Sequence, residues 1–235
     1  MKYFSQLGQD EYLDQEVFMG LGQGVFVDFG AYDGRTFSNT FFFEKHRGWT
    51  GVCAEPIPSV FENLRQNRSC ICVPDCIAPK TDKAEYWEVT GPSAMLSGLR
   101  SGFEANHIER IHRETRSLGG EGKKTELNCI TLNALFERHR LTHVQYCSVD
   151  TEGSELSILK TFDFHRFRVD VFGVENNSGS NALRKFMNSK GYVLLRSDCD
   201  EIFRRKDPHA MNWRHHFPPR ITRLCRRLLS TRLSV

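Results

Sequence analysis

The chain lacks the marks of a membrane span or a targeting leader. No run of about 18 apolar residues occurs, which excludes a transmembrane helix. The opening residues, Met1-Lys2-Tyr3-Phe4-Ser5-Gln6, turn polar at once and have no apolar centre of the signal-peptide kind. The expectation is a cytoplasmic protein. No internal repeat or low-complexity tract is visible, so nothing points to a repeat architecture. The eight cysteines include no C-x-x-C pair. Cys53, Cys72 and Cys147 sit inside apolar runs, where cysteine behaves as a small hydrophobe. Cys70, Cys72 and Cys76 lie close together, but no Cys/His pair follows at zinc spacing. That placement argues against both a disulfide framework and a structural metal.

What is present suits one globular domain. A length of 235 residues is enough for a single α/β domain with a sizeable core and some decoration. The net charge of +3 hides an asymmetry: from Glu201 onward there are nine Lys/Arg against two acids, so the rest of the chain is mildly acidic. A basic tail on an acidic body is not the pattern of a nucleic-acid-binding domain, and no nucleic-acid partner is expected.

Short apolar runs alternate with longer helical patterns, the arrangement of βαβ units around a mainly parallel sheet. The runs are Val25 to Gly30, Gly51 to Glu55, Cys70 to Val73, Tyr146 to Asp150 and Val169 to Glu175. Tyr192 to Leu195 and Glu201 to Phe203 read as a closing hairpin. Helices are expected over Thr36 to His46, Ser59 to Asn67, Leu132 to His139, Ser154 to Phe162 with Ser154 as N-cap, and Asn181 to Ser189. The first 20 residues also carry a helical pattern, through Tyr12, Leu13, Val17 and Phe18. The stretch from Pro79 to Asn128 fits this scheme poorly: glycines recur in it, charged helical text runs from about Ile108 to Glu114, and it reads as an insertion between the third and fourth strands.

Four acidic or glycine-rich points fall at the carboxyl ends of these strands, the edge where open α/β sheets bind ligands. The first is Asp28-Phe29-Gly30-Ala31-Tyr32-Asp33-Gly34. Its glycine spacing is G-x-x-x-G, not the dinucleotide G-x-G-x-x-G. Two carboxylates beside the turn would repel a diphosphate, yet suit a ligand carrying an ammonium and a sulfonium. The second is Glu55, whose carboxylate can accept hydrogen bonds from both hydroxyls of a ribose. The third is Ser148-Val149-Asp150-Thr151-Glu152-Gly153-Ser154-Glu155, and the fourth Val174-Glu175-Asn176-Asn177.

Together with Ser5-Gln6-Leu7-Gly8-Gln9-Asp10, Phe37-Ser38-Asn39-Thr40, Ala54-Glu55-Pro56 and Met95-Leu96-Ser97-Gly98-Leu99, these motifs resemble the FkbM-type methyltransferase family over roughly residues 3 to 205. The resemblance implies a Rossmann-like class I fold, with a seven-stranded, mostly parallel sheet, helices on both faces and an antiparallel last strand. It implies S-adenosylmethionine as cofactor. Asp28 and Gly30 would lie beside its methionine part, Glu55 would hold the ribose, and Asp75-Cys76-Ile77 would border adenine. Gln9, Ala31, Asp33, Gly34, Asn39, Pro56 and Asp150 complete the implied cofactor set. The methyltransferase domain would run from 1 to 205, with 79–128 and the segment around Gln6, Gln9 and Asp10 covering the cofactor and shaping the acceptor pocket. The family implies O-methylation of a sugar or small metabolite, so a small-molecule or glycan acceptor is the expected partner. A catalytically inactive binding protein on the same fold is the alternative, with a nicotinamide-dependent oxidoreductase behind it.

Asp150 and Glu175 are the expected catalytic residues. Neighbouring strand ends lie about 4.8 Å apart, so Asp150, Glu175 and Asn176 can converge on a hard divalent cation such as Mg²⁺. This set resembles the magnesium site of catechol O-methyltransferase. Two other readings stay open: Asp150 is a direct general base, or it only accepts backbone N–H bonds at the next helix start. Of the nine histidines none falls in a matched motif; His107 and His112 lie in the insertion near the expected acceptor site, with a surface role expected for either alone. In the tail, residues 206–235, Arg220, Arg223, Arg226 and Arg227 alternate with Ile221, Leu224, Leu228 and Leu229. That amphipathic pattern packs on the domain or stays disordered, or else contacts a partner or an anionic membrane.

Overall fold

The apolar runs become the centre of a seven-stranded sheet. The computed structural model describes residues 1–206 apart from positions 104, 178 and 199. The remaining tail, with His215, His216 and the arginine–leucine pattern, lies outside the described residues. The strands are β1 (Val25–Phe29), β2 (Thr50–Ala54), β3 (Ile71–Val73), β4 (Cys76–Ile77), β5 (Lys83–Val89), β6 (Gly98–Leu99), β7 (Gly122–Ile130), β8 (His143–Val149), β9 (Arg168–Glu175), β10 (Tyr192–Ser197) and β11 (Asp200–Arg205). The helices are α1 (Gln9–Tyr12), which widens into a π turn over Leu13–Val17, then α2 (Phe41–Arg47), α3 (Pro58–Asn67), α4 (Ala105–Leu118), α5 (Leu132–Arg138), α6 (Glu155–Thr161) and α7 (Asn181–Ser189).

The main sheet has the order β10-β11-β9-β8-β1-β2-β3. Strands β3, β2, β1, β8 and β9 run parallel, and β11 is antiparallel to both its neighbours. Successive side chains alternate between the faces, as the pleat requires. Val27, Phe29, Cys147, Val149, Phe172 and Val174 meet α5, α6 and α7 in one core. Phe26, Tyr146 and Val171 meet Leu13, Phe18, Phe42, Phe43 and Leu64 in the other. The result is the three-layered, class I methyltransferase type of fold. Central strands buried on both faces read as near-continuous apolar text, which is why the sequence reveals them. Among the described residues no helix is long and apolar enough to cross a membrane.

Three local expectations are corrected. The second helix begins at Phe41, not Thr36. Phe37 holds a positive φ of 55°, outside the helical region, and the Ser38 hydroxyl accepts from the N–H of Thr40 and Phe41. At α6 the Ser154 side chain makes no cap. Instead the Glu155 carboxylate accepts from the N–H groups of Thr151 and Gly153, each at 2.9 Å, and gathers the preceding loop. The stretch read as an irregular insertion is built largely of regular elements: α4 contains the helical text around Ile108 to Glu114, and paired strands flank it. β5 pairs antiparallel with β7 from Lys83 opposite Asn128 to Val89 opposite Gly122. With β4 and β6 they form a four-stranded second sheet. Val89, Leu96 and Ile111 close a small core beneath α4.

Candidate functional site

Strand order reverses direction between β1 and β8, so the loops that leave their carboxyl ends diverge and open a crevice. Gly30 turns the chain there with φ 80°. Its N–H and that of Ala31 donate to the Ala54 carbonyl, both at 3.2 Å, which ties the turn to the end of β2.

A cleft of about 670 Å³, counted to its open mouth, lies over this edge. It is lined by Gly30, Glu55, Pro56, Asp75, Cys76, Ile77 and Asp150 among the expected residues. Glu55 is buried, and its two oxygens accept from Tyr32 N at 3.1 Å and Ile57 N at 2.9 Å. Each oxygen keeps further acceptor capacity. Burial pushes the Glu55 carboxyl up to about 7, against the pull of those two backbone donors. Asp75 accepts from Arg138 at 2.5 Å, which fixes it at the rim. The second sheet contributes Tyr86 of β5 and Leu99 of β6 to the lining, and the turn that joins these strands contributes Met95 and Ser97. Of these, Tyr86 was not read from the sequence, because it belongs to β5 and not to a main-sheet strand end.

The other expected cofactor residues lie elsewhere. Asp28 shares the sheet face of Phe26 and turns away from the cleft. Its Oδ2 accepts from the Thr40 hydroxyl at 2.5 Å and lies 4.0 Å from Arg68 Nη1. Burial raises the Asp28 carboxyl, and Arg68 and the Thr40 hydroxyl oppose that. Arg68 also pairs with Glu44 at 2.7 Å and donates to the Gly34 carbonyl at 3.1 Å. Asp33 accepts from Arg35 N, Thr36 N and the Thr36 hydroxyl, so it shapes its own turn. The pair of carboxylates read as matching a cationic ligand is therefore engaged internally. Gly34 packs against Leu64 and Arg68, and neither Gly34 nor Ala31 lines the cleft.

Gln9 and Asn39 meet a residue the sequence did not single out. Gln9 Nε2 donates to Asp200 Oδ2 at 2.8 Å, and Asn39 Nδ2 to the same oxygen at 3.4 Å and to Ser148 Oγ at 3.3 Å. Asp200 opens β11 opposite Glu175, which brings it to the same edge of the sheet. The antiparallel pairing of β11 with β9 does this, and no run of apolar text announces it.

Asp150, Glu152 and Glu175 form a carboxylate cluster whose nearest oxygens all lie within 4.8 Å of one another. Burial and then the facing Glu175 carboxylate raise Asp150 well above the usual carboxyl range. Burial and then Glu152 raise Glu175. Burial and then Asp150 raise Glu152, with Arg110 opposing. Asn176, which lines the same cleft as Glu175, is engaged with Ser180: its Oδ1 accepts from Ser180 N at 3.0 Å and its Nδ2 donates to Ser180 O at 3.2 Å. The third acid is Glu152, two residues after Asp150 in the same loop, where it holds φ 55°. Three anionic oxygen donors at this separation suit a hard divalent cation.

The cluster separates two spaces. Asp150 lines the first cleft, Glu175 lines a second, and Glu152 lines both. The second cleft, about 1430 Å³ to its mouth, is polar, with His107, Arg110 and Arg113 of α4 facing Glu175, Asn176 and Asn177. His107, expected at the surface, is only 11% exposed and places Nδ1 3.4 Å from Glu152 Oε2. His112 is exposed.

A family model described as the methyltransferase FkbM domain matches residues 28–194. No curated protein matches the chain. The matched span covers the main sheet from β1 into β10 and includes Glu55 and all three clustered acids. The family implies S-adenosylmethionine as methyl donor. The chain belongs to the FkbM methyltransferase family.

Proposed function

We propose that the protein is an S-adenosylmethionine-dependent O-methyltransferase that acts on a hydroxyl of a sugar or another small polar metabolite. The reading is carried by one observation: three carboxylates stand where the cleft over the ends of β1 and β2 meets the wide polar cleft. S-adenosylmethionine, when bound, supplies an electrophilic methyl group on a sulfonium. Glu55 accepts hydrogen bonds from the ribose hydroxyls through its remaining lone pairs. Ile57, Ile77, Tyr86 and Leu99 wall the base and exclude water. On the other side, Asn177, Arg110 and Arg113 offer hydrogen bonds to a polyhydroxylated acceptor. Asp150 or Glu175 takes the acceptor proton, general-base help that contributes typically about 10²–10⁴-fold. The raised carboxyls fit that task, since a base nearer neutrality holds a transferred proton better.

A second reading rests on the same donor set. A divalent cation such as Mg²⁺ held by Asp150, Glu152 and Glu175 would lower the acceptor hydroxyl's pKa and orient it. The test incubates the protein with methyl-labelled S-adenosylmethionine and a panel of sugars, polyols and amines, with and without a chelator. The proposal expects a methyl ether as product. Label on an amine in place of a hydroxyl overturns it, and turnover undiminished by exhaustive chelation removes the cation.

A further inference from the structure

Away from the clefts, three cysteines gather on one face of the sheet edge. Cys53 is the penultimate residue of β2, Cys72 is its register partner on β3, and Cys70 immediately precedes β3. Cys70 Sγ lies 3.6 Å from Cys53 Sγ, and all three are free thiols. Their exposure differs. Cys53 is fully buried, whereas Cys70 is partly exposed at the floor of a surface depression between Glu44, Lys45, Trp49 and Ser69. The buried Arg68 guanidinium stands two residues away in sequence, with its side chain 0% exposed.

We propose that Cys70 and Cys53 are a peroxide-reactive pair, with Cys70 the attacking thiol and Cys53 the resolving one. The chemistry needs a thiolate that solvent reaches and a second thiol within reach of it. The neighbouring Cys53 thiol, the Cys72 thiol and then the Arg68 guanidinium hold Cys70 below the ordinary thiol value, while burial pushes Cys53 up. Of the two sulfurs, Cys70 is the one that solvent and peroxide reach. In the first step the Cys70 thiolate attacks one peroxide oxygen: the S–O bond forms, the O–O bond breaks, and hydroxide leaves to take a proton from solvent. Cys70 becomes a sulfenic acid, oxidised by two electrons, and the peroxide is reduced. In the second step Cys53 gives up its proton and attacks the Cys70 sulfur; the S–S bond forms, the S–O bond breaks, and water leaves. The two thiols and one hydrogen peroxide give one disulfide and two waters. Closing the gap to a disulfide length of about 2.05 Å asks for a shift of roughly 1.5 Å, within the reach of side-chain rotation at the end of a strand.

Nothing in this chemistry depends on the methyl-transfer reading. The test treats the full-length protein with a small excess of hydrogen peroxide, blocks remaining thiols with an alkylating agent, and maps the peptides by mass spectrometry. The expected product is a Cys53–Cys70 cross-link, with Cys70 consumed about ten-fold faster than the similarly exposed Cys72. In Cys53→Ser the sulfenic acid on Cys70 is expected to persist and to be trapped by a dimedone probe. The wild-type cross-link is read without any variant, so a poorly folded Cys53→Ser leaves the test intact. A Cys53–Cys72 or Cys76–Cys129 link forming first, or equal consumption of Cys70 and Cys72, overturns the proposal.

Discussion

The carbonyl oxygen of Asp150 stands where a side chain on Gly30 would begin: a Cβ built there falls 1.6 Å from it. The loops that leave β1 and β8 touch at this point, and Asp150 N also donates to Phe29 O at 3.2 Å. The contact sets the position of the Asp150 carboxylate against the first cleft. Gly30→Ala must push the loops apart and also strain a backbone at φ 80°. The expected cost is more than about 3 kcal/mol in denaturant unfolding, with cofactor binding lost. A variant with wild-type stability and affinity would show that the contact is not rigid.

Arg68 is the buried hub of the loop after β1. It bridges Glu44, Asp28, the Thr40 hydroxyl and the Gly34 carbonyl, and its guanidinium lies 5.1 Å from the Phe26 ring centroid. Arg68→Met leaves two buried carboxylates without their cation, and such losses cost about 3–5 kcal/mol. Urea denaturation checks this, and adding Asp28→Asn to the variant should recover part of the loss.

Glu55 makes cofactor binding pH-dependent. Its carboxyl is raised by burial to about 7 in the ligand-free fold, above the ordinary value. Between the ordinary carboxyl range and about 7 the folded protein holds a proton that the unfolded chain has released, so this group's contribution to stability falls as pH rises through that window. Ribose hydroxyls donate to the carboxylate and favour the charged form. Cofactor affinity should therefore rise with pH up to about 7, and binding should release protons below that. Titration calorimetry at about pH 6, inside that window, in buffers of different ionisation enthalpy reads the released protons directly. Glu55→Gln should lower the number released; an unchanged number would assign the protons to other groups.

Asp150→Asn separates chemistry from cofactor binding. The substitution keeps the shape of the side chain and removes its basicity. We expect turnover to fall about 10²–10⁴-fold with cofactor affinity changed only a few-fold. Equal turnover in wild type and variant would remove Asp150 from the proton path.

The sequence exposes the fold where burial is symmetrical. β1, β8 and β9 are covered on both faces, so their apolar runs stand out. The second sheet is hidden because its strands are half solvated and carry their pairing in charge. Lys83 on β5 answers Glu126 on β7, and Lys123 and Lys124 on β7 answer Glu88 and Glu85 on β5, which reads as polar loop text. At the site, strand ends located Glu55, Asp150 and Glu175 at one edge of the sheet. Asp28 lies away from the cleft for a legible reason and an illegible one. Alternation puts it on the face of Phe26, but its partner Arg68 is distant in sequence and only the folded chain brings them together. The turn in which Ser180, four positions on, engages the Asn176 amide was not read from the sequence.

The central claim is that the cleft at the ends of β1, β2 and β3 holds the nucleoside of S-adenosylmethionine, with Glu55 as its ribose acceptor. Isothermal titration of S-adenosylhomocysteine into the wild-type protein and Glu55→Ala tests it most directly. The account predicts measurable binding to wild type and a loss of about 1–3 kcal/mol, roughly 5- to 150-fold in affinity, in the variant while it remains folded. Equal affinity for a folded Glu55→Ala would contradict it.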